Sequence, residues 1–510
     1  MIENPLVQEF RIEGLYGYRT VALSATHSTT ILIAKNGSGK TTLLGALDAF
    51  LRCQFGRLSK IEFHRVVCRL RGVDVDLELT AADVERLLAI PDTPEFLNLS
   101  RRYGVDPEAL LDFIENEFDR GRPYPAFDDD EVYRKIVAKH DYRDWDARKA
   151  CEKLAESLVG RVPSVDFLRD QVRAVTQGME VLYLPTYRRI ELSLSNETDA
   201  QPGRRRESVS SRLGLSKRGF FNTEIQFGLG DISEKLQALN VELLAKSNQG
   251  YRQISAKIVN DLLDGTFERE MPNPSELPEK EALALFFSRI KHGGRMFSPH
   301  FSAIDIPDID KIYREGASTA SSNKFLSYFL AQLNEVIKAS EAIEGRVEEF
   351  VAHCNEYLSS YDLSTDRQMA GALGARKIDP DAKRLKINRM DLQVSVFSVA
   401  AKKKIPIDSL SSGEKQMISL FARLYLYSGP KIILIDEPEL SLSIDWQRRI
   451  LVDVANAPTC EQLIAITHSP FVFDNELDPY AKSLTLSADP VRADVDRAAD
   501  LFQDEATSDD

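Results

Sequence analysis

Several features are scarce in this sequence, and each absence removes a class of function. No apolar run approaches the roughly eighteen residues needed to cross a bilayer, and the N-terminal "MIENPLVQEF" lacks the basic and apolar segments of a signal peptide. The five cysteines, Cys53, Cys68, Cys151, Cys354 and Cys460, are odd in number and never stand in C-x-x-C spacing. That pattern excludes a disulfide framework and a thiolate zinc site and fits a reducing, cytoplasmic setting. Seven histidines are dispersed, and only His468 lies in a recognisable context. Positive charge is also short: the net charge is −14, so broad electrostatic coating of nucleic acid is not expected, although a local basic stripe remains open. There is no internal repeat and no long heptad array. What remains is an ordinary composition, 43% hydrophobic and 28% charged over 510 residues, enough for two or three domains with ample core.

The most informative stretch is "AKNGSGKTT", residues 34–42. A phosphate-binding P-loop is usually written G-x-x-x-x-G-K-[ST], and here Ala34 takes the first glycine's place. The flanks suit the chemistry. "TTILIA" reads as a buried parallel strand, and "TTLLGALDAFL" has apolar residues at helical spacing without proline. A strand, a glycine-bearing loop and a helix N-terminus together turn backbone N–H groups toward phosphate. Gly37 and Gly39 sit where a Cβ would obstruct the loop, whereas position 34 begins it and tolerates a methyl group. Lys40 would reach the β- and γ-phosphates and Thr41 a Mg²⁺ ion.

Along the chain, residues 1–90 alternate as strands around that loop, and 91–178 turn helical. "MEVLYLPTYRRIEL" contains another buried strand, assigned to 179–190. Residues 191–382 read as a mainly helical insertion. It opens with a polar loop carrying Arg204, Arg205, Arg206, Arg212, Lys217 and Arg218, which could hold RNA, DNA or an acidic partner, or be an ordinary solvated loop. Residues 383–490 return to strand and helix, and 491–510 form an acidic tail.

Three further motifs follow in order. "LSSGEKQ" (410–416) precedes an amphipathic helix, "KIILIDEPELSLSIDW" is a buried strand ending in two carboxylates, and "LIAITHSPFVF" is a buried strand ending in histidine. Phosphoryl transfer to water needs a metal, charge neutralisation and an oriented nucleophile. Asp436 would hold Mg²⁺ with Thr41, Glu437 would polarise the attacking water, and His468 would hydrogen-bond the γ-phosphate. Ser411, at a helix N-terminus, offers donors to a phosphate, and its distance along the chain from the P-loop suggests that it completes the site of a second subunit.

On these four motifs the sequence resembles the ABC-type ATPase heads of the SMC-like branch: Walker A at 34–41, signature at 410–414, Walker B at 432–437 and an H-loop histidine at 468. The resemblance implies an α/β fold, an ABC-type P-loop head with a mixed sheet and flanking helices, interrupted by the helical insertion. It implies ATP and Mg²⁺ as cofactors and a head-to-tail homodimer around two ATP molecules. Asn36, Gly37, Ser38, Gly39, Lys40, Thr41 and Thr42 would cradle the phosphates, with Ser411 and Gly413 acting from the other subunit. Glu437 and His468 are the expected catalytic residues, and Thr41 and Asp436 the metal ligands. Two departures stand out: Ser412 replaces the first of the signature's paired glycines, and no Q-loop glutamine is evident, "YLPTYRRIE" with Arg188 and Arg189 standing where one is sought.

Within that branch, "EPELSLSIDWQ" and "ITHSPFVFDN" look like the overcoming-lysogenisation-type antiphage ATPases, but too little chain follows His468 for their Toprim nuclease domain. "YLPTYRRIE" and "IQFGLGDI" resemble PtuA, the ATPase of Septu systems and certain retrons, which acts with the HNH nuclease PtuB and, in retrons, with a reverse transcriptase and its RNA–DNA product. The expectation is therefore an ATP-driven sensor and scaffold of a prokaryotic defence complex without nuclease activity of its own. The ATPase of a system with a Toprim effector and an SMC-like repair ATPase are the alternatives.

Overall fold

The computed structural model describes residues 4–35, 37–114, 118, 130–185, 229–264, 277–297, 307–313, 320–358 and 382–488. The chain divides into two compact units, Met1–Ile225 with Gly429–Asp510, and Gln226–Ser428.

In the first unit the strands separate by direction into two sheets, where the sequence suggested one mixed sheet. The strands β1 (Val7–Leu15), β2 (Arg19–Ser24), β4 (Arg65–Leu70) and β5 (Leu77–Thr80) form an antiparallel sheet, joined at the β2 edge by β13 (Thr485–Ala488). Their alternating burial, with Phe10 and Ile12 inward, is the mark of a sheet with one wet face. The second sheet is wholly parallel, in the order β12 (Ala481–Ser483), β3 (Thr29–Ile33), β11 (Cys460–Thr467), β10 (Lys431–Asp436), β6 (Glu180–Leu184). Every residue of β10 is buried, as a central strand covered on both faces requires.

Helix α1 (Lys40–Leu51) packs against β1 of one sheet and against β6 and β10 of the other. That position explains why it is apolar nearly all round. Phe50 stands edge-on to Phe10 and Phe55, with ring centroids 5.8 and 5.5 Å away. The one carboxylate on its buried side, Asp48, is held by Arg52 at 2.6 Å and Arg57 at 2.8 Å, and Arg52 also donates to the Val181 carbonyl of β6. A buried amide stitches the two sheets together: Val7 N donates to Gln462 Oε1 (2.8 Å), and Gln462 Nε2 returns the bond to Val7 O (2.9 Å). Both backbone groups of Val7 are thereby satisfied where a neighbouring strand would otherwise be needed. Helices α2 (Ala81–Leu88) to α7 (Pro163–Thr176) extend the same core, Leu87, Phe96, Tyr133 and Val172 joining the cluster that holds Phe50.

The second unit is built on long helices, Leu229–Leu263, Lys280–Phe297 and Ala320–Leu358, with a core around Ile254, Phe286, Phe287 and Leu333. Where the first and third meet, Gly250 faces Val336 so closely that a Cβ on the glycine would lie 2.5 Å from Val336 Cγ1. Residues 383–428, grouped with the following strands on sequence, fall in this unit. They form a three-stranded antiparallel sheet, β7 (Lys383–Asn388), β8 (Gln393–Ser398) and β9 (Lys403–Ile405), then the helix Ser412–Phe421, which runs into a π-helical turn at Ala422–Leu426. The basic loop around Arg204–Arg218, Arg188 and Arg189, and the acidic tail lie outside the described residues.

Candidate functional site

Parallel strands present their carboxyl ends at one edge of the sheet, where ligands of α/β proteins bind. Here β3 runs into the P-loop, β10 ends at Asp436, and β11 ends at Thr467 followed by His468. Because β11 lies between β3 and β10, residues hundreds of positions apart meet at that edge.

The loop has the backbone that phosphate binding needs. Gly37 and Gly39 adopt φ of 76° and 91°, and nothing lies within 4 Å of where a Gly37 Cβ would stand. Gly39 caps α1, so that the helix begins at Lys40. Ala34 is buried, and its carbonyl lies 3.5 Å from Lys40 Nζ. Ser38 Oγ is buried without a hydrogen-bond partner among the described residues. Asn36 lies outside the described residues.

Lys40 is only 6% exposed, yet its ammonium is well satisfied. It lies 3.4 Å from Glu437 Oε1 and contacts both ring nitrogens of His468, 3.1 Å from Nδ1. His468 Nε2 is 3.2 Å from the same Glu437 oxygen. Beside this triangle Thr41 Oγ1 donates to Asp436 Oδ2 at 2.6 Å. Glu437 has φ of 54°, a left-handed backbone unusual for a side chain with a Cβ, and its N–H donates to Ile466 O of β11 at 2.8 Å. That turn brings the carboxylate to Lys40 and His468.

The structure thus brings together Lys40, Thr41, Asp436, Glu437 and His468, with Gly37, Ser38, Gly39 and Thr42 on the adjoining loop and helix start. Ser411 and Gly413 lie in the second unit. There Ser411 caps its helix: its hydroxyl accepts from Glu414 N at 3.3 Å, and Glu414 Oε2 accepts from Ser411 N at 2.6 Å. Lys383 Nζ donates to both Glu414 oxygens, at 2.9 and 2.7 Å, and fixes the cap from the sheet. Gly413 is buried behind it, while Ser411 is exposed.

Two groups of residues escaped the sequence reading. Glu439 gathers the end of β11: Oε2 accepts from Thr467 Oγ1 at 2.8 Å, and Oε1 accepts from His468 N at 2.9 Å and Ser469 N at 3.3 Å. Gln447, on the helix Ile444–Ala455, donates to the carbonyls of Glu439 and Leu442 and accepts from Ser469 Oγ at 2.9 Å. The only signal for Glu439 was a third carboxylate two places after Glu437. The second group is Tyr16, Tyr18 and Arg19. Arg19 donates to the Gly37 carbonyl at 3.0 Å, its guanidinium lies 5.4 and 5.2 Å from the Tyr16 and Tyr18 ring centroids, and Tyr16 Oη is 3.3 Å from Thr42 Oγ1. Both rings are about half exposed beside the loop, and nothing in their spacing from it announces the contact.

The donor set fits Mg²⁺. Thr41 and Asp436 offer hard oxygens, and among the described residues no group of three or more His, Cys, Asp or Glu side chains could hold a metal. An ion bound through one carboxylate, one hydroxyl and substrate phosphates is how Mg²⁺ is usually held. Ser38's unpartnered hydroxyl and the open space at Gly37 fit phosphate in the same way.

Residues 186–474, more than half of the chain, match the family model described as "AAA domain, putative AbiEii toxin, Type IV TA system". The chain belongs to that family. It is accordingly a P-loop ATPase-type protein of mixed α/β content with a helical region, in a family linked to toxin–antitoxin and abortive-infection ATPases. The matched span begins after β3 and the P-loop, yet β3 pairs with β11 inside that span, from Thr29↔Leu463 to Ile33↔Thr467. No curated protein matches the chain. Among the described residues, no helix is long and apolar enough to cross a membrane.

Proposed function

We propose that this chain binds and hydrolyses ATP as the sensor and scaffold subunit of a prokaryotic antiphage complex. The observation that carries the reading is the convergence of Lys40, Glu437 and His468 beside the Thr41–Asp436 pair at the ends of β3, β10 and β11. Lys40 neutralises the β- and γ-phosphates, and the Gly37–Gly39 backbone orients them. Thr41 and Asp436 hold Mg²⁺, which when bound supplies further neutralisation of phosphate charge. Glu437 accepts a proton from the attacking water, and His468 hydrogen-bonds the γ-phosphate. The exposed Tyr16 and Tyr18 rings, braced by Arg19 against the loop, offer flat faces to the base. Two copies pair head to tail, so that Ser411 and Gly413 meet the nucleotide held by Lys40 of the partner subunit.

The family's link to abortive infection supports a defence role. In that role the chain controls a separate HNH nuclease of the PtuB kind, together with a reverse transcriptase and its RNA–DNA where a retron is present. The test is direct. Lys40→Ala abolishes binding of a fluorescent ATP analogue, whereas Glu437→Gln keeps binding, loses turnover by about 10²-fold or more and accumulates an ATP-bound dimer in sedimentation. Normal nucleotide affinity in Lys40→Ala overturns the assignment.

A further inference from the structure

The second unit carries a charged face that the ATP site does not use. Between residues 383 and 405 the chain places seven basic side chains against one carboxylate, Asp391, in a protein of net charge −14. Two of the seven are paired, Lys383 with Glu414 at 2.7 Å and Arg389 with Glu348. Arg384, Lys386, Lys402, Lys403 and Lys404 are exposed and form no ion pair among the described residues.

Strand register turns this run into a surface. Arg384 of β7 pairs with Phe397 of β8, and Phe397 with Lys404 of β9, so the two cations flank the ring on one face. Lys386, two residues along on the same face, lies 4.5 Å from the Phe397 ring centroid. The alternate residues Leu385 and Val396 are buried on the opposite face. Asn355 of the helix Ala320–Leu358 bonds both Leu385 N (2.7 Å) and Leu385 O (3.0 Å), so the free edge of β7 is tied to that helix at Leu385.

Spacing selects the ligand. Arg384 and Lys404 are two strand spacings apart, about 10 Å, and Lys386 is about 7 Å along the strand from Arg384. Cations spread over that footprint, with Lys402 and Lys403 beside them, match an extended row of anions better than a single phosphate ion. The large apolar ring on this face, Phe397, is half-buried beneath Lys386, and no exposed large apolar side chain stands on the sheet among the described residues, so the insertion group of a membrane-binding surface is missing there. We propose that the outer face of β7–β9 binds the phosphodiester backbone of a nucleic acid, through phosphates and without reading bases. The proposal uses none of the residues Arg204–Arg218 and does not depend on the ATPase reading.

The test uses the full-length chain with fluorescein-labelled single-stranded and duplex oligonucleotides, followed by anisotropy over a salt series. Each phosphate contact contributes about 0.9 to the slope of log affinity against log salt on duplex. Arg384→Glu/Lys386→Glu/Lys404→Glu should lower affinity by about tenfold or more at ~0.1 M salt and reduce the slope by about 2 to 3. The corresponding triple alanine variant shifts both in the same direction by less. A charge-matched control on exposed lysines elsewhere, Lys60→Glu/Lys153→Glu/Lys338→Glu, keeps the wild-type slope. ATP-analogue binding is unchanged in every variant, so a failure of the ATPase reading would show in the wild type and leave this result standing. Equal losses in the two glutamate triples overturn the proposal, as does a wild-type chain that binds neither oligonucleotide. Salt-dependent binding to phosphatidylserine vesicles in place of oligonucleotides would also overturn it.

Discussion

In the first unit Lys40 bonds His468 across 428 positions of sequence, and Val7 bonds Gln462 across 455. In the second, β7, β8 and β9 close a sheet within residues 383–405, and Lys383 braces the Ser411–Glu414 cap, Glu414 lying only 31 positions away. One unit makes chemistry by convergence of distant segments; the other makes surface from neighbours. The difference implies different fragility. Convergence fails as a whole when the common core moves, whereas a locally built surface yields one contact at a time.

Phe50→Ala probes the first half of that contrast most severely. Phe50 is fully buried between Phe10 and Phe55 on the helix that carries Lys40 and Thr41. Removing the ring should cost about 3–5 kcal/mol, read as a lower denaturant midpoint, with ATP binding weakened although no site residue has changed. Retained stability would mean the two sheets do not depend on α1 for their shared core.

Glu439→Gln narrows the question to the site. The amide oxygen can replace only part of the acceptor capacity that Thr467, His468 and Ser469 use. The backbone at His468 should then be misplaced, lowering kcat for ATP hydrolysis by about 10- to 100-fold while leaving KM nearly unchanged. A fall in KM affinity without loss of kcat would show that Glu439 serves binding rather than the position of His468.

The mildest expected effect lies in the second unit. Gly250→Ala drives a methyl group toward Val336, costing about 1–3 kcal/mol of overpacking against roughly 1 kcal/mol of regained helix propensity. Thermal melting should shift down modestly, and Val336→Ala in the same chain should restore it. No rescue would place the sensitivity elsewhere than the helix crossing.

The legible parts of this molecule were those fixed locally. β3, the P-loop and α1 follow from a β-branched apolar run, two glycines and helical spacing, and β10 and β11 follow from continuous apolar runs ending in polar residues. The division into two sheets was not read, although the strands differ in kind: β1 alternates in burial, while β10 is buried throughout. What could not be read was pairing across the chain. Gln462 looks like a polar residue at the start of an apolar run, and only the fold shows that its amide bonds both backbone groups of Val7. Arg19 meets the Gly37 carbonyl because a hairpin turn lies beside the loop, and Glu439 matters because β11 ends next to β10. Side chains that position other side chains leave little periodic trace.

The backbone at Glu437 carries one more implication. A φ of 54° suits glycine or asparagine far better than glutamate, and holding a side chain there costs roughly 1–3 kcal/mol. Folding alone would therefore prefer a different residue at this position. A copy of the protein released from the need to activate water could gain stability by giving the glutamate up, so the loss of catalysis and a firmer fold would arrive through the same substitution.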